Sequence, residues 1–558
     1  PATRRLFGSQ TKVSFKTPGA HNIVLTVADH AKQAAAAPHM VTVVEGTPPV
    51  ANAGGPYNTN EDIPTRLDAG LSTDDFGIAW YEWDFGDGES LVTRNPWADH
   101  RYLAAGDYTV TLTVTDWSEQ VSVDMTTVHV SPDPVVVCVP WRFTGDVEIP
   151  HDTWSGREVI LKAVAWSLHE PLTYEWDFGD GSPVDSGTVD NKRVIETRHA
   201  YTGSVGTPFV ATLTVTDADG RTAGDQFPVQ IRSESLDVKM NMGIEDGLWA
   251  LHRWQHLETF AAGTYGHARI EYGYWDNTIG TPNTSYRYYK EARSSPTASA
   301  LQAFQINGHT LVRDVRQDPY ADTVARGLHF LAAATAQHYI DPVLAGDPDS
   351  NRNKIGLYTP TGTQLVPRRF DLAPGYEIGM VMDGFASVGT PSACAITGPT
   401  EVRHRSYHDI VQDMVDTCAF GQVEPNYNDR GGWRYKFHPQ RDADNSVSPW
   451  PCIGMLAAED VMDITVPTWV KREHRYWMAA SYLPGPAYGY RRTSPDIGNP
   501  ANVLPSALIQ LSFSGATGYD NPATPADERD PRWVHAEGRI ADEDGFYDEK
   551  SGEFSIYG

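Results

Sequence analysis

Over the first 233 residues, apolar and polar side chains alternate in short runs bounded by Gly, Pro and Asp. HNIVLTVAD (21–29), DYTVTLTVTD (107–116) and FVATLTVTD (209–217) place side chains alternately on two faces, the period of a half-buried strand. Each run follows a turn-rich stretch (KTPGA, LAAGD, SVGTP), so one unit recurs. From about residue 234 the period lengthens. Apolar residues at i, i+3 and i+4 predict helices over 244–258, 296–306, 322–339, 376–388, 406–420, 446–462, 466–483 and 501–513. In the first of these, Ile244, Leu248, Leu251, Trp254 and Gln255 share the face expected to be buried. The pattern therefore predicts a multidomain chain, all-β and then all-α.

A sharper repeat lies inside the β region. YEWDFGDG stands at 81–88 and again at 174–181. Trp83 and Phe85 share one strand face, as do Trp176 and Phe178, and both pairs are expected in the core. The Gly-Asp-Gly that follows suits a tight turn, where Gly takes positive φ and Asp bonds its own backbone. Each copy is followed by a His-Xaa-Tyr element (His100 to Tyr102, His199 to Tyr201) and a VTLTVTD-like strand. With GGPY at 54–57 and LDAGLSTD at 67–74, these residues resemble PKD domains, which are immunoglobulin-like β-sandwiches of secreted and cell-surface proteins. The resemblance implies one unit at 47–131 and a divergent one at 132–233. It also implies the closing part of a truncated sandwich at 1–46, as in a piece of a longer polypeptide. It further implies spacers, adhesion modules or protein-interaction modules whose acidic loops sometimes hold calcium. For Asp84, Asp87, Asp177 and Asp180, turn formation is the simpler reading.

In the helical region the connections repeat as well. HARIEYGYW (267–275), RGGWRYKFHP (430–439) and GPAYGYRR (485–492) each set a Gly-aromatic element before a helix. GGWRYKFHPQRDADNSVSPWPCIGMLAAE (431–459) resembles the repeat of the α/α-toroid superfamily, which includes terpene cyclases and protein prenyltransferase β subunits. Gly431, Gly432, Trp433 and Tyr435 match its loop, and Asp444 to Val447 its helix start. The resemblance implies an α/α-toroid-like domain over 234–516, followed by an acidic extension at 517–558. In terpene cyclases an Asp-rich DxDD motif protonates an alkene. Here Asp442-Ala443-Asp444-Asn445 replaces the last Asp, so Asp444 reads first as a helix cap, with Asp442, Asp444 and His438 as catalytic candidates. Asp409, Asp413 and Asp416 fall on one helix face and read as solvated. Asp347, Asp349, Asn351 and Asn353 alternate like calcium ligands, but Arg352 stands where such loops place Gly; the segment is either a Ca2+ loop or an Asx-rich turn.

Composition narrows this picture only slightly. Lys plus Arg number 44 and Asp plus Glu 72, a formal charge of −28, which disfavours nucleic acid and anionic membrane as partners. No run reaches the roughly 18–20 apolar residues of a spanning helix. Cys138, Cys394, Cys418 and Cys452 contain no CxxC pair and leave both one bridge and free thiols open. The expectation is an extracellular or cell-surface prokaryotic protein with a structural, adhesive or assembly role, whose partners are other chains or glycans. The alternative is an enzyme acting on a glycan or an isoprenoid-like substrate in the toroid cavity.

Overall fold

The computed structural model describes residues 19–28, 34–44, 46–140, 143–144, 147–261, 263–265, 269–276, 293–360, 374–437, 441–483, 487–491, 504–515, 530–534, 547–548 and 553–554. The chain divides into two compact units, Pro1–Thr59 with Thr65–Ser131, and Asn60–Pro64 with Pro132–Gly558.

In the first unit, β1 (Gly19–Ala28) and β2 (Ala34–Val43) form an antiparallel hairpin in which Gly19 faces Val43. The sandwich follows with β3 (Tyr57–Asn60), β4 (Thr65–Asp68), β5 (Ile78–Asp84), β6 (Ser90–Thr93), β7 (Trp97–His100), β8 (Gly106–Asp116) and β9 (Val121–Ser131). One sheet has the order β3-β9-β8-β5-β6 and the other pairs β4 with β7. Strict alternation carries Trp83, Leu112, Val114, Val128 and Leu67 into one core.

The second unit opens with β10 (Val135–Cys138), β11 (Phe143–Thr144), β12 (Val147–Glu148), β13 (His151–Thr153), β14 (Glu158–Trp166), β15 (Thr173–Asp177), β16 (Asp185–Thr188), β17 (Ile195–Ala200), β18 (Pro208–Thr216) and β19 (Thr222–Ile231). Its sheets run β13-β19-β18-β15-β16 and β10-β14-β17, with a core of Trp176, Leu213, Phe227 and Leu161. Every residue of β14 after Glu158 is buried. A half-buried strand would alternate, so this strand is covered on both faces.

The cover is α1 (Leu236–Trp254), capped where the Ser235 side chain accepts from the Val238 amide. It inserts Glu245 beside His151 and Lys162, all three buried. Lys162 Nζ lies 3.4 Å from the carboxylate. Burial works to raise the Glu245 pKa, but the charges of His151 and Lys162 outweigh it and hold the group below its ordinary value. Further out, Asn241 donates to Asp152 at 3.1 Å, and His252 lies 2.9 Å from the Arg193 carbonyl. Its buried face carries Val238, Met242, Glu245, Leu248, Trp249 and His252, whereas Ile244 and Trp254 are exposed. Leu248 and Gln255 of the expected face are buried; the apolar pattern does not predict Glu245 there, because a buried carboxylate paired with His151 and Lys162 looks like a surface residue in sequence.

The remaining helices are α2 (Ser294–Ile306), α3 (Tyr320–Ala334), α4 (Pro374–Ala386), α5 (Tyr407–Phe420), α6 (Pro449–Met462), α7 (Thr468–Ser481) and α8 (Leu504–Phe513). Hairpins join three pairs: β20 (His256–Thr259) with β21 (Glu271–Tyr274), β22 (Ala336–Tyr339) with β23 (Ile355–Tyr358), and β24 (Tyr482–Leu483) with β25 (Ala487–Tyr488). The last strands, β26 (Tyr547–Asp548) and β27 (Glu553–Phe554), pair with each other. Residues 256–258 and 336–339, expected to be helical, are strands because each opens a hairpin.

The helices α2, α4, α6 and α8 pack in succession, with α3 against α2, α5 against α4 and α6, and α7 against α8, while β21 packs on α3 and β23 on α5. Glycine permits the closest crossing. A Cβ on Gly379 of α4 would lie 1.9 Å from the Trp450 carbonyl oxygen of α6, and one on Gly454 would lie 2.8 Å from the Gly379 Cα. No helix among the described residues is long and apolar enough to cross a membrane. All four cysteines are unbridged.

Candidate functional site

The residues at the start of α6 are set by the loop before it. Gly431 adopts φ +84, and a Cβ there would lie 1.9 Å from the Glu473 carbonyl oxygen, so only glycine lets the loop lie flush on α7. Trp433 is fully buried; its amide donates to Ser448 Oγ at 3.0 Å and its ring N–H to the Cys418 carbonyl at 2.8 Å. His474 faces the Gly431 carbonyl with Nδ1 at 2.9 Å, and its other nitrogen lies 3.6 Å from Cys452 Sγ. Burial pushes His474 down to about 4 and Cys452 well up, so this pair is a neutral part of the core.

Asp444 is buried at the turn into α6. Its Oδ1 accepts from the amides of Ser446 (3.0 Å) and Val447 (2.9 Å) and from the Ser446 hydroxyl (2.8 Å). Arg434 pairs with the same carboxylate, reaches Asp442 at 3.5 Å, and lies over the Tyr435 ring at 4.2 Å. Those donors make Asp444 an anchor for the turn. Asn445, standing at the last position of the Asp-rich pattern, accepts from the Trp477 ring N–H at 2.8 Å and donates to the Gly489 carbonyl at 2.7 Å. It ties this turn to the β24–β25 hairpin. Asp442 is half-exposed, and His438 lies outside the described residues.

Three half-buried tyrosines meet at this turn. Ser446 Oγ lies 2.7 Å from the Tyr376 hydroxyl and 3.2 Å from that of Tyr490, while the rings of Tyr376 and Tyr435 are 5.6 Å apart. Tyr376 stands in the first turn of α4 and Tyr490 just after β25, neither within an acid pattern, so the sequence offered no reason to join them. The signal that would have done so is the Gly-Tyr step each occupies, Gly375-Tyr376 and Gly489-Tyr490.

The loop 347–353 sits against α5. Asp413 accepts from Asn351 Nδ2 (2.6 Å), Asn353 Nδ2 (3.0 Å) and Arg405 (2.6 Å). Asp416 accepts from the Ser350 hydroxyl (2.7 Å) and amide (3.1 Å) and from Gln412 (3.1 Å). Both carboxylates are fully buried, which corrects their reading as a solvated face; Ser350, Asn351 and Asn353, which cover them, lie some sixty residues upstream and leave no local trace. Burial pushes Asp416 up to about 7 and also raises Asp413, against the pull of Arg405. The loop oxygens bond the loop itself: Asp347 accepts from the Asp349 amide, Asp349 from those of Asn353 and Lys354, and Asn353 from that of Ile355. Arg352 takes φ +63, the left-handed conformation that glycine supplies in calcium loops. Among the described residues, no group of three or more His, Cys, Asp or Glu is arranged to hold a metal ion.

In the β region the repeated motif closes on itself. Asp87 is 2.8 Å from His100, whose ring stacks on Phe85 at 3.9 Å, and the Tyr102 hydroxyl donates to the Phe85 carbonyl. Asp180, His199 and Phe178 repeat this, at 2.8 and 3.9 Å. Trp83 and Trp176 are fully buried, and Phe85 and Phe178 nearly so. Asp84 and Asp177 each accept from the amide two residues on.

Comparison with known proteins agrees with this geometry. Residues 46–130 match the PKD domain family. The chain is 31% identical over 247 residues to the human dyslexia-associated protein KIAA0319, covering 40% of this chain and 21% of that protein. It is 38% identical over 152 residues to collagenase ColA of Bacillus cereus, covering 27% and 15%. Among solved structures, the PKD1 domain of Vibrio anguillarum Epp is 32% identical, covering 16% of this chain and 98% of that one, with a TM-score of 0.14. The chain thus spans about a fifth or less of the length of these curated relatives.

Proposed function

We propose that the chain is an extracellular or cell-surface structural or adhesive component. In this reading the second sandwich and the helical region form a non-catalytic body, and the first sandwich presents the contact face. One observation carries it. The outward side of β9 exposes Val121, Val123 and Met125 beside a row of threonines on β8, while the matching positions of β19 hold Thr222, Gly224 and Gln226. An exposed apolar strip running along one sheet face is a contact surface. The test is retention of the intact chain on a panel of immobilised matrix proteins and polysaccharides. Val123→Glu with Met125→Glu abolishes retention if the reading holds; equal retention of variant and parent on every surface defeats it.

For the helical region we propose an α/α-toroid-like arc with the even-numbered helices inside. Four helix–connection–helix repeats and the α2-α4-α6-α8 succession support this. The loop 347–353 serves as a clasp joining β22–β23 to α5; a rise in melting temperature with saturating calcium would instead assign it an ion. A second reading, an enzyme acting on a glycan, is favoured by the hydroxyl-rich cluster of Tyr376, Tyr490 and Ser446 beside Arg434. New reducing ends from a polysaccharide, lost in Ser446→Ala, would establish that reading instead.

A further inference from the structure

The helix α1 has a second apolar face, opposite the one buried on the second sandwich. Leu236 is 71% exposed, Met240 54% and Trp254 50%, and Ile244 continues the same line. The line contains no charge. Between its large residues stand Gly243 and Gly247, both exposed, and a Cβ on either would meet nothing within 4 Å. Glycine inside a helix costs about 1 kcal/mol relative to alanine. Elsewhere in the helices that cost has a visible cause: a Cβ on Gly327 would lie 2.7 Å from Leu301, and Gly379 and Gly454 let α4 and α6 touch. At Gly243 and Gly247 the described residues supply no such neighbour. Glycines four residues apart in an apolar helix face admit the backbone of another helix.

We infer that this face is the docking surface for α1 of a second copy of the chain, packed parallel about a twofold axis so that Gly243 and Gly247 meet their own equivalents. Charge selects both occupant and direction. At 100° per residue, Asp237 lies on one flank of the line, and Lys239, Asp246 and Arg253 on the other. Parallel copies oppose unlike flanks, so each Lys239 meets the partner's Asp237 at the same level. Antiparallel copies oppose like flanks and bring Lys239 toward a second Arg253, which repels. Lys239 is held within the chain by an exposed contact to Glu234 at 2.7 Å and lies 5.8 Å from the centre of the Trp154 ring, both surface contacts that are cheap to exchange. The interface is self-complementary, as a twofold contact requires.

Sedimentation of the intact chain tests this. The parent associates as a dimer, and Gly243→Leu with Gly247→Leu raises its dissociation constant at least about tenfold, close to 1.4 kcal/mol. Because nothing among the described residues lies within 4 Å of either Cβ and leucine favours the helix, the variant keeps or gains helical signal and melts no lower than the parent monomer, which separates lost association from misfolding. Asp237→Lys weakens the dimer, and adding Lys239→Asp restores it. A parent that stays monomeric at its highest soluble concentration overturns the inference, and so does a glycine variant that dimerises as the parent does. A monomer in which cysteine placed at Ile244 resists labelling overturns it too, by assigning the face to another segment of the same chain.

Discussion

The two sandwiches share the WDFGDG core and differ in which face they show to solvent. At matched register, the outward residues of the smaller sheet are Arg66 and Asp68 in the first and Ile160 and Lys162 in the second. On the larger sheet the polarity reverses, with Val121, Val123 and Met125 in the first against Thr222, Gly224 and Gln226 in the second. The inward residues make both fold alike; the outward ones decide that one is built into a helical body and the other keeps a free apolar sheet face. Module identity therefore says little about role, which lies in the alternate positions of each strand.

The largest test of this difference is to empty each core. Trp83→Ala and Trp176→Ala should each cost about 3–5 kcal/mol. In calorimetry the first should lower only the transition of the first unit, and the second should bring down the helices with the sandwich. A single shared transition in both variants would erase the distinction. Next comes the covered face. Glu245→Ala leaves His151 and Lys162 buried without their carboxylate and should cost about 3–5 kcal/mol, read from denaturant midpoints. The matching pair on the open face, Arg66 with Asp99 at 2.7 Å, should cost under about 1 kcal/mol when Arg66 is replaced by alanine.

Acid should separate the units further. Burial holds His252 at about 3 and His474 at about 4, below their unfolded value near 6.5. Both stay neutral when folded, so their full contribution is present above pH 6.5. As pH falls from 6.5 toward 4 the unfolded chain binds protons the folded one refuses, and stability falls by up to about 1.4 kcal/mol per histidine per pH unit. In the first sandwich, burial raises the Asp87 pKa, but His100 and the Glu89 amide outweigh it and lower the group overall. Its contribution is present above the unfolded carboxylate pKa and is lost only below it. In the same range Asp416, held at about 7, takes up its proton first in the folded state and offsets part of this loss. Melting the parent and Asp416→Asn between pH 7 and 4.5 should therefore show the second unit falling more steeply in the variant. The smallest effect belongs to the free face: Val123→Thr should change stability by less than about 0.5 kcal/mol while weakening retention on surfaces.

Much of the fold was legible because it rests on local pattern. Alternation located the strands, and all eight predicted helices appear with shifted ends. Three Gly-aromatic connections were visible, but the fourth, KIGLYTP at 354–360, was missed because Leu357 stands between Gly356 and Tyr358. What stayed hidden depended on distant partners. Glu245 and Asp416 look like solvent-facing residues until His151 and Ser350 are placed beside them. The meeting of Tyr376 and Tyr490 at Ser446 requires the start of α4 and the segment after β25, more than 100 residues apart, to converge, and periodicity carries no such information.

The crossing at Gly379 and Gly454 has a mechanical consequence. Helices separated by interleaved side chains slide by small rotamer adjustments, whereas two backbones in direct contact have no such slack. A chain stretched from its ends would load and unravel the softer connections first. The α4–α6 pair would be the last part of the helical region to slip.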